Sequence, residues 1–405
     1  MSTTSKGRVL ISGASIAGPA LAYWLHRYGF EVTVVEKAGA VRGGGYPIDI
    51  RGTALEAVRR MGVLPALQAA HINTRRITFL NPDGSVIAAV DAQSMAGGAE
   101  VRDLEVRRGD LTEILYDTIR DEVEFLFDDT ITALDARADG VDVTFRGGGR
   151  RTFDVVVGAD GLHSHTRGLV FGPEARFHRY LGYCFAGFTM SNDLGLSREG
   201  VMWNTPGRSA ALYAVGDGDT VHGFLSFSRA EPPFEAFRDP DAQRDLVASI
   251  FADDQWEVPR LVAAMRTADD LFFDVVSQIR MPRWSAGRVA LVGDAAHAPS
   301  FLTGQGSSLA LVDAYLLAGE LATNRDHVAA LNAYEQRARA FVEMNQALVR
   351  EGDATLFPGT DEALARRNRM LRGLTVMPAG EGRPEHSALT LPDFAGTRPA
   401  GIPAT

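Results

Sequence analysis

Arg8-Val9-Leu10-Ile11-Ser12-Gly13-Ala14-Ser15-Ile16-Ala17-Gly18, continued by helical spacing to Tyr28, a stop at Gly29 and an apolar run from Glu31 to Glu36, decides the fold. Arg8 to Ser12 reads as a short buried strand and Glu31 to Glu36 as a second. A strand–helix–strand unit of this kind begins a parallel sheet in an α/β protein. Glycine lets the chain turn tightly between strand and helix, and the freed amides and helix dipole then face a pyrophosphate. Ser15 replaces the middle glycine of the G-x-G-x-x-G pattern and is small enough to keep that approach open. Gly13, Ser15, Ile16, Ala17 and Gly18 are therefore candidate cofactor contacts. Glu36, with Lys37 beside it, follows Gly13 at close to the ~20-residue spacing of a carboxylate gripping a ribose hydroxyl. An acid there favours the unphosphorylated ribose of FAD or NAD. The stretch also nearly matches a hydrolase nucleophile elbow, G-x-S-x-G, but the last glycine is missing and no acid-then-histidine pair follows at later strand ends.

The 405 residues are 45% hydrophobic and 23% charged, the balance of a globular protein with room for two domains. A formal charge of −10 argues against a long nucleic-acid surface. The single cysteine, Cys184, leaves no intrachain disulfide and no cysteine-rich metal site, and fits a cytoplasmic setting. Met1 to Lys6 is polar, without the apolar core of a signal peptide, and no stretch is apolar enough for a membrane span.

Further along, Ala54 to Met61 reads as a helix, and Ile77 to Val90 as a hairpin turning at Asn81-Pro82-Asp83-Gly84. Leu111 to Asp121 is helical. Val141 to Phe145 and Thr152 to Val157 read as two strands joined by glycines 147 to 149. Tyr183 to Met190, Ala210 to Val215 and Val221 to Phe227 are aromatic-rich strands of antiparallel type, with a turn at Gly216 to Asp219, so a second domain interrupts the first. Val289 to Val292 is again a buried strand, Gly306 to Thr323 a buried helix and Leu331 to Glu351 a long amphipathic one. The Arg-rich segment Ala363 to Arg372 reads as a packed or solvated helix, and the tail from Pro378 as irregular.

Two more segments sit at strand ends, where α/β sheets bind ligands. Asp154 to Val157 empties into Gly158-Ala159-Asp160-Gly161, and Val289 to Val292 empties into Gly293-Asp294-Ala295-Ala296-His297, with Pro299 and Gly304-Gln305-Gly306-Ser307-Ser308 following. Asp294, His297 and Ser300 are too close in sequence to be read as a hydrolytic triad. Arg42 to Gly45 forms a glycine loop just after Glu36.

Taken together, these segments resemble, in order and spacing over most of Arg8 to Glu351, the class A flavoprotein aromatic hydroxylases. That family is like p-hydroxybenzoate hydroxylase and includes tetracycline- and rifamycin-modifying and polyketide-tailoring members. The resemblance implies an α/β fold: an FAD-binding three-layer (ββα) Rossmann-like domain over residues 1–75, 101–178 and 275–350. A mainly antiparallel substrate domain, 76–100 and 179–274, is inserted in it, and a C-terminal helix and irregular tail follow over 351–405. It implies that Asp294 meets the ribityl chain of FAD and that Asp160 and Gly161 serve both FAD and the nicotinamide. Arg108, of Arg108-Gly109-Asp110-Leu111, reaches the phosphate or ribityl region, with Arg107 as the competing position. Arg42, Gly44 and Gly45 border pyrophosphate and flavin, in a region that lets the ring swing. Gly293, Pro299, Gly304, Gly306, Ser307 and Ser308 border the ring, where backbone amides stabilise negative charge; Ser308 stands where relatives often have Asn.

The implied chemistry is reduction of FAD by NADPH or NADH, reaction with O2 to a C4a-hydroperoxyflavin, and transfer of one oxygen atom to an aromatic or polyketide-like small molecule. Ketone insertion, alkene epoxidation and antibiotic inactivation use the same chemistry, and an FAD-binding dehydrogenase or carrier is the alternative from another class. Period-two alternation puts His222, Phe224, Ser226 and Ser228 on one face of their strand, and Ala211, Tyr213 and Val215 on one face of theirs. Tyr213, His222, Phe224, Phe301 and Leu302 are candidate substrate contacts, and His222 and Asp49 candidate bases for a phenolic proton. A monomer or homodimer is expected.

Overall fold

The opening residues form β1 (Arg8–Ser12), α1 (Ala17–Arg27) and β2 (Glu31–Val35), with both strands parallel and in register from Arg8 opposite Glu31 to Ser12 opposite Val35. The structure, a computed structural model, describes residues 5–41, 43, 45–91, 103–237, 239–349, 356–374 and 383–394. Four more strands complete the first sheet: β7 (Glu124–Leu126), β11 (Val155–Gly158), β17 (Ser285–Ala286) and β18 (Val289–Leu291), in the order β17-β18-β11-β1-β2-β7. All its pairs are parallel except β17 with β18. Its strands are continuous Val/Ile/Leu runs because both faces are covered.

One face meets α1 and α9 (Gly306–Thr323). The other is roofed by three antiparallel strands, β8 (Ile131–Ala136), β9 (Val141–Phe145) and β10 (Arg150–Phe153). Leu10, Val35 and Val156 from below meet Val141, Val143 and Phe153 from above. These are the three layers, β on β on α, of the expected cofactor domain. The run Thr152 to Val157, expected as one strand, is two. Phe153 still pairs with Val141 of the roof, whereas Val155 pairs with Val9 of the parallel sheet. Asp154 is the crossing point, its carboxylate accepting the Arg8 amide at 2.6 Å.

The second sheet has seven strands in the order β16 (Phe272–Ile279), β12 (His178–Ser191), β15 (Thr220–Ser228), β14 (Arg208–Tyr213), β13 (Glu199–Thr205), β4 (Arg76–Leu80) and β5 (Val86–Asp91). It is antiparallel except where β13 runs parallel to β4. Cys184, Ala186, Phe188, Leu212, Leu225 and Phe227 form its inner face, buried under α6 (Pro240–Ile250) and α7 (Val258–Thr267). Burial raises the pKa of the Cys184 thiol. A two-stranded ribbon, β3 (Pro47–Ile50) with β6 (Leu104–Arg107), lies between the sheets. The remaining helices are α2 (Thr53–Met61), α3 (Leu64–Ala69), α4 (Arg108–Asp117), α5 (His165–Phe171), α8 (Asp294–His297), α10 (His327–Ala347) and α11 (Asp361–Gly373).

The tail, expected to be irregular, has one 3-10 turn at Pro384–Ser387 but is firmly docked over its described residues. Thr53 donates to the Leu389 carbonyl at 2.7 Å and Arg60 to the Pro392 carbonyl at 2.7 Å. The Phe394 ring fills the space over Gly319, 2.1 Å from where a Cβ would stand.

Candidate active site

The ends of β1, β11 and β18 meet at one point, because these strands are neighbours and parallel. Gly13 has φ +110°, and a Cβ on it would lie 2.5 Å from the Ala159 carbonyl oxygen. A Cβ on Gly18 would lie 1.9 Å from the Gly13 carbonyl oxygen. Only glycine permits either approach, and the result is an open cradle at the start of α1, beside Ile16 and Ala17. Glu36 braces this loop, accepting the Ala14 amide at 2.8 Å and the Ala38 amide at 2.9 Å. Its carboxylate thus shapes the loop. Lys37 is exposed.

Arg108, at the start of α4, donates to the Ser15 hydroxyl at 2.7 Å, whereas Arg107 turns away to Asp110 at 3.1 Å. Arg108 is therefore the arginine that reaches the Gly13–Gly18 turn. Arg42 and Gly44 lie outside the described residues. Gly45 has φ +85° and sits against Arg108, its Cβ position 4.0 Å from that side chain.

Gly293, at φ +60°, turns the chain from β18 into α8 between Ala17 and Ala310. This carries the Asp294 carboxylate to the mouth of α9, with Oδ1 3.6 Å from the Cβ position of Gly306. Asp294 is accessible yet enclosed by the cleft. That enclosure raises its carboxyl pKa, opposed by the charges of His297 and Arg108 and reinforced by Asp313. A carboxylate held in such a place, with no side-chain hydroxyl or cation in contact among the described residues, suits a ligand rich in hydroxyls. The loop continues through Ser300, at φ +79°, and Gly304, at φ +63°. The Pro299 carbonyl is anchored by the Gln278 amide at 2.9 Å. A cradle that a Cβ would fill, a helix start and an enclosed carboxylate together fit FAD.

Other candidates have different work. Asp160 caps α5: it accepts from the Ser164 hydroxyl and from the Thr166 amide and hydroxyl, both at 2.9 Å. Gly161, at φ +81°, has open space where a Cβ would be. Ser308 is buried and ties α9 to β3, accepting the Arg51 amide at 3.0 Å, while Ser307 is half-buried. His297 faces Asp313 at 2.6 Å in the core, away from Ser300, whose hydroxyl caps Leu302; no Asp294-His297-Ser300 triad forms.

The outer face of the seven-stranded sheet closes the cleft. Tyr213 and His222 are direct cross-strand partners, as are Ala211 and Phe224, so the two strand faces expected separately are one. The Phe185 ring meets Phe301 at 4.9 Å between centroids, and Tyr183 stacks on Phe357 at 4.7 Å. Phe301 is 44% exposed and lines the cleft, whereas Leu302 is buried against Val276 and Phe357. Tyr213 donates to Glu105 and meets Thr74; burial, then Glu105, pushes its hydroxyl pKa up. Burial lowers the His222 pKa, with Asp270 opposing and Arg107 adding to the shift. Asp49 pairs with Arg51 at 2.8 Å, and its Oδ2 lies 3.2 Å from the Cβ position of Gly304.

Sequence reasoning missed Tyr46, which lies close enough to Arg108, Asp294 and Asp274 for their charges to act on its buried hydroxyl. Its place directly after the glycine run was the available signal. Phe185 was recoverable from strand alternation; Glu105, Thr74 and Phe357 come from distant segments and carried no signal.

The FAD binding domain family model matches residues 6–349. A flavin-dependent monooxygenase from an unknown prokaryotic organism is 37% identical over 371 residues, covering 91% of this chain and 95% of that protein. Another, from Legionella longbeachae serogroup 1, is 34% identical over 340 residues, covering 84% and 87%. Among solved structures, tetracycline destructase Tet(55) superposes with a TM-score of 0.83 at 35% identity, over 97% of this chain and all (100%) of that one. These relatives favour oxygen chemistry over a dehydrogenase or carrier: the chain belongs to the FAD binding domain family, among the class A flavoprotein hydroxylases, and is an FAD-dependent monooxygenase.

Proposed function

We propose that NADPH or NADH supplies the electrons, and that one atom of O2 is inserted into an electron-rich aromatic or polyketide-like small molecule held between the flavin loop and the seven-stranded sheet. The aromatic cleft wall of Phe185, Phe301 and Tyr183 carries this reading. It offers flat apolar contact to a ring system, and Phe301 lies in the same turn as Gly304, whose amide donates to its carbonyl at 3.0 Å. Likeness to tetracycline destructase Tet(55) favours a polycyclic substrate.

FAD, when bound, accepts hydride and activates oxygen. Gly13, Ser15, Gly18, Glu36 and Arg108 would hold its phosphates and ribose, Asp294 its ribityl chain, and Pro299 to Gly306 its ring edge. The seven-stranded sheet with α6 and α7 acts as the substrate domain and excludes water. His222, kept neutral at pH 7 by burial, takes a phenolic proton. Asp49 is the second candidate, its carboxylate already paired with Arg51 at 2.8 Å. Oxidation of NADPH and NADH by the flavin-loaded protein, over aromatic and polyketide panels that include tetracyclines, with peroxide measured in parallel, tests the reading. A substrate that accelerates oxidation and gains 16 mass units supports it (one oxygen atom); nicotinamide oxidation that no panel member changes counts against it.

A further inference from the structure

His163 lies on the loop between Gly161 and α5 and has a carboxylate at each ring nitrogen. Glu174 Oε1 is 2.8 Å from Nδ1, and Asp274 Oδ1 is 3.1 Å from Nε2. Carboxylates only accept, so both nitrogens must donate, and a neutral imidazole has a single N–H. His163 is therefore an imidazolium. The same two hydrogen bonds, Asp274 first, lift its pKa to about 10 against the pull of burial.

What these partners belong to gives the pair its meaning. Asp274 is buried in β16 and directly opposite Phe185, the ring that meets Phe301. Glu174 accepts Arg167 at 2.6 Å; burial would raise this carboxyl, but His163 and Arg167 outweigh it and leave its pKa low. Arg167 is fully buried and donates to the Leu162 carbonyl at 2.7 Å and the Ala295 carbonyl at 3.0 Å. Ala295 follows Asp294. A line of charged contacts thus runs from the Asp294 turn, through Arg167, Glu174 and His163, to the strand beside Phe185 in the aromatic wall.

We propose that His163 is a positioning residue whose positive charge locks the substrate sheet onto the two cofactor loops, fixing the gap between the aromatic wall and the flavin loop. The groups facing it are Asp274 from β16, Glu174 from the 3-10 turn Glu174–Arg176, Arg167 from α5 and His178 from β12. His178, with rings 6.4 Å apart from it, has its own pKa lowered by burial and so leaves the charge to His163. Gln278 ties the far end of β16 to the Pro299 carbonyl at 2.9 Å; at the near end, the hydrogen bonds of His163 to Glu174 and Asp274 join this loop to β16.

Amide exchange of the FAD-loaded protein tests this. His163→Gln should speed exchange ~10-fold in both Phe272–Ile279 and residues 160–167, which are then no longer coupled. His163→Lys, which keeps the charge, should restore most of the protection. The FAD dissociation constant should stay within ~3-fold of the original in both, because neither variant alters a phosphate or ribityl contact. In a double-mutant cycle His163→Gln and Asp274→Asn should be non-additive in melting temperature. Unchanged protection of β16 in His163→Gln, or a lysine variant no better than glutamine, overturns the lock. Peroxide released per NADPH should rise in His163→Gln; this arm rests on the nicotinamide reading. If none of the variants or the parent oxidises NADPH, that reading fails while the exchange result stands alone.

Discussion

Asp294 shows at the scale of one residue how a binding site costs the fold something. Its enclosed carboxylate has a raised pKa, so its charge is unfavourable in the ligand-free protein. The folded state then binds more protons than the unfolded one between the ordinary aspartate pKa and the raised one, and stability falls as pH rises through that window. Asp294→Asn should therefore raise the melting temperature of the FAD-free protein at neutral pH. The same change should weaken FAD, since hydrogen bonds to a charged group are worth about 1.5–3 kcal/mol, or roughly 10- to 150-fold in dissociation constant. Calorimetric melting and FAD titration read the two effects. His222 gives a second prediction. Its pKa is lowered by burial, so if it is the base, activity should climb with pH through a value below the usual ~6.5. That limb should vanish in His222→Ala. An identical pH–rate profile in the variant would return His222 to a packing role.

At the scale of elements, the glycine-bearing turns separate two kinds of constraint. A Cβ on Gly18 meets backbone at 1.9 Å, whereas one on Gly161 meets open space and suffers only from φ +81°. Gly18→Ala should lose flavin and lower the melting temperature sharply. Gly161→Ala should cost about 1–2 kcal/mol, the left-handed backbone penalty, and keep its flavin. Flavin content per chain and thermal melting separate them. These turns were legible in the sequence because strand, glycine and helix follow one another within a few residues. The buried helix Gly306–Thr323 was equally plain from its composition. The split at Asp154 was not, since Phe153 and Val155 to Val157 look like one apolar run; only pairing with different sheets divides them. The Glu199–Thr205 strand was passed over because it borrows its place from β4, over a hundred residues earlier. The same holds within the site. Asp294, Arg108 and the glycines carry local patterns, while Tyr213 gains its meaning from Glu105 and Thr74, which no local pattern brings to it.

Taken as a whole molecule, the chain is closed by its own tail. Residues 356–358 hold the cleft side through the Phe357 ring, and residues 383–394 return to α2 and α9. Gly319→Ala should normally favour a helix by roughly 0.5–1 kcal/mol, but here the methyl group would displace Phe394. It should therefore destabilise the intact protein and become neutral or stabilising once Phe394→Ala has vacated the space. A double-mutant cycle in thermal melting gives the answer, and additivity of the two changes would mean the tail is not held there.

The place of Cys184 has a consequence for durability. Flavin enzymes that release peroxide face their own product, and a thiolate is the first group to be oxidised. The one thiol of this chain is buried under α6 and α7 with its pKa raised. Oxidative wear should then fall on thioethers, among the described residues beginning with Met344 and Met370, which are 42% and 49% exposed. Mass mapping after prolonged turnover should find sulfoxide there before any change at residue 184, and ageing of the enzyme should resist rescue by thiol reductants.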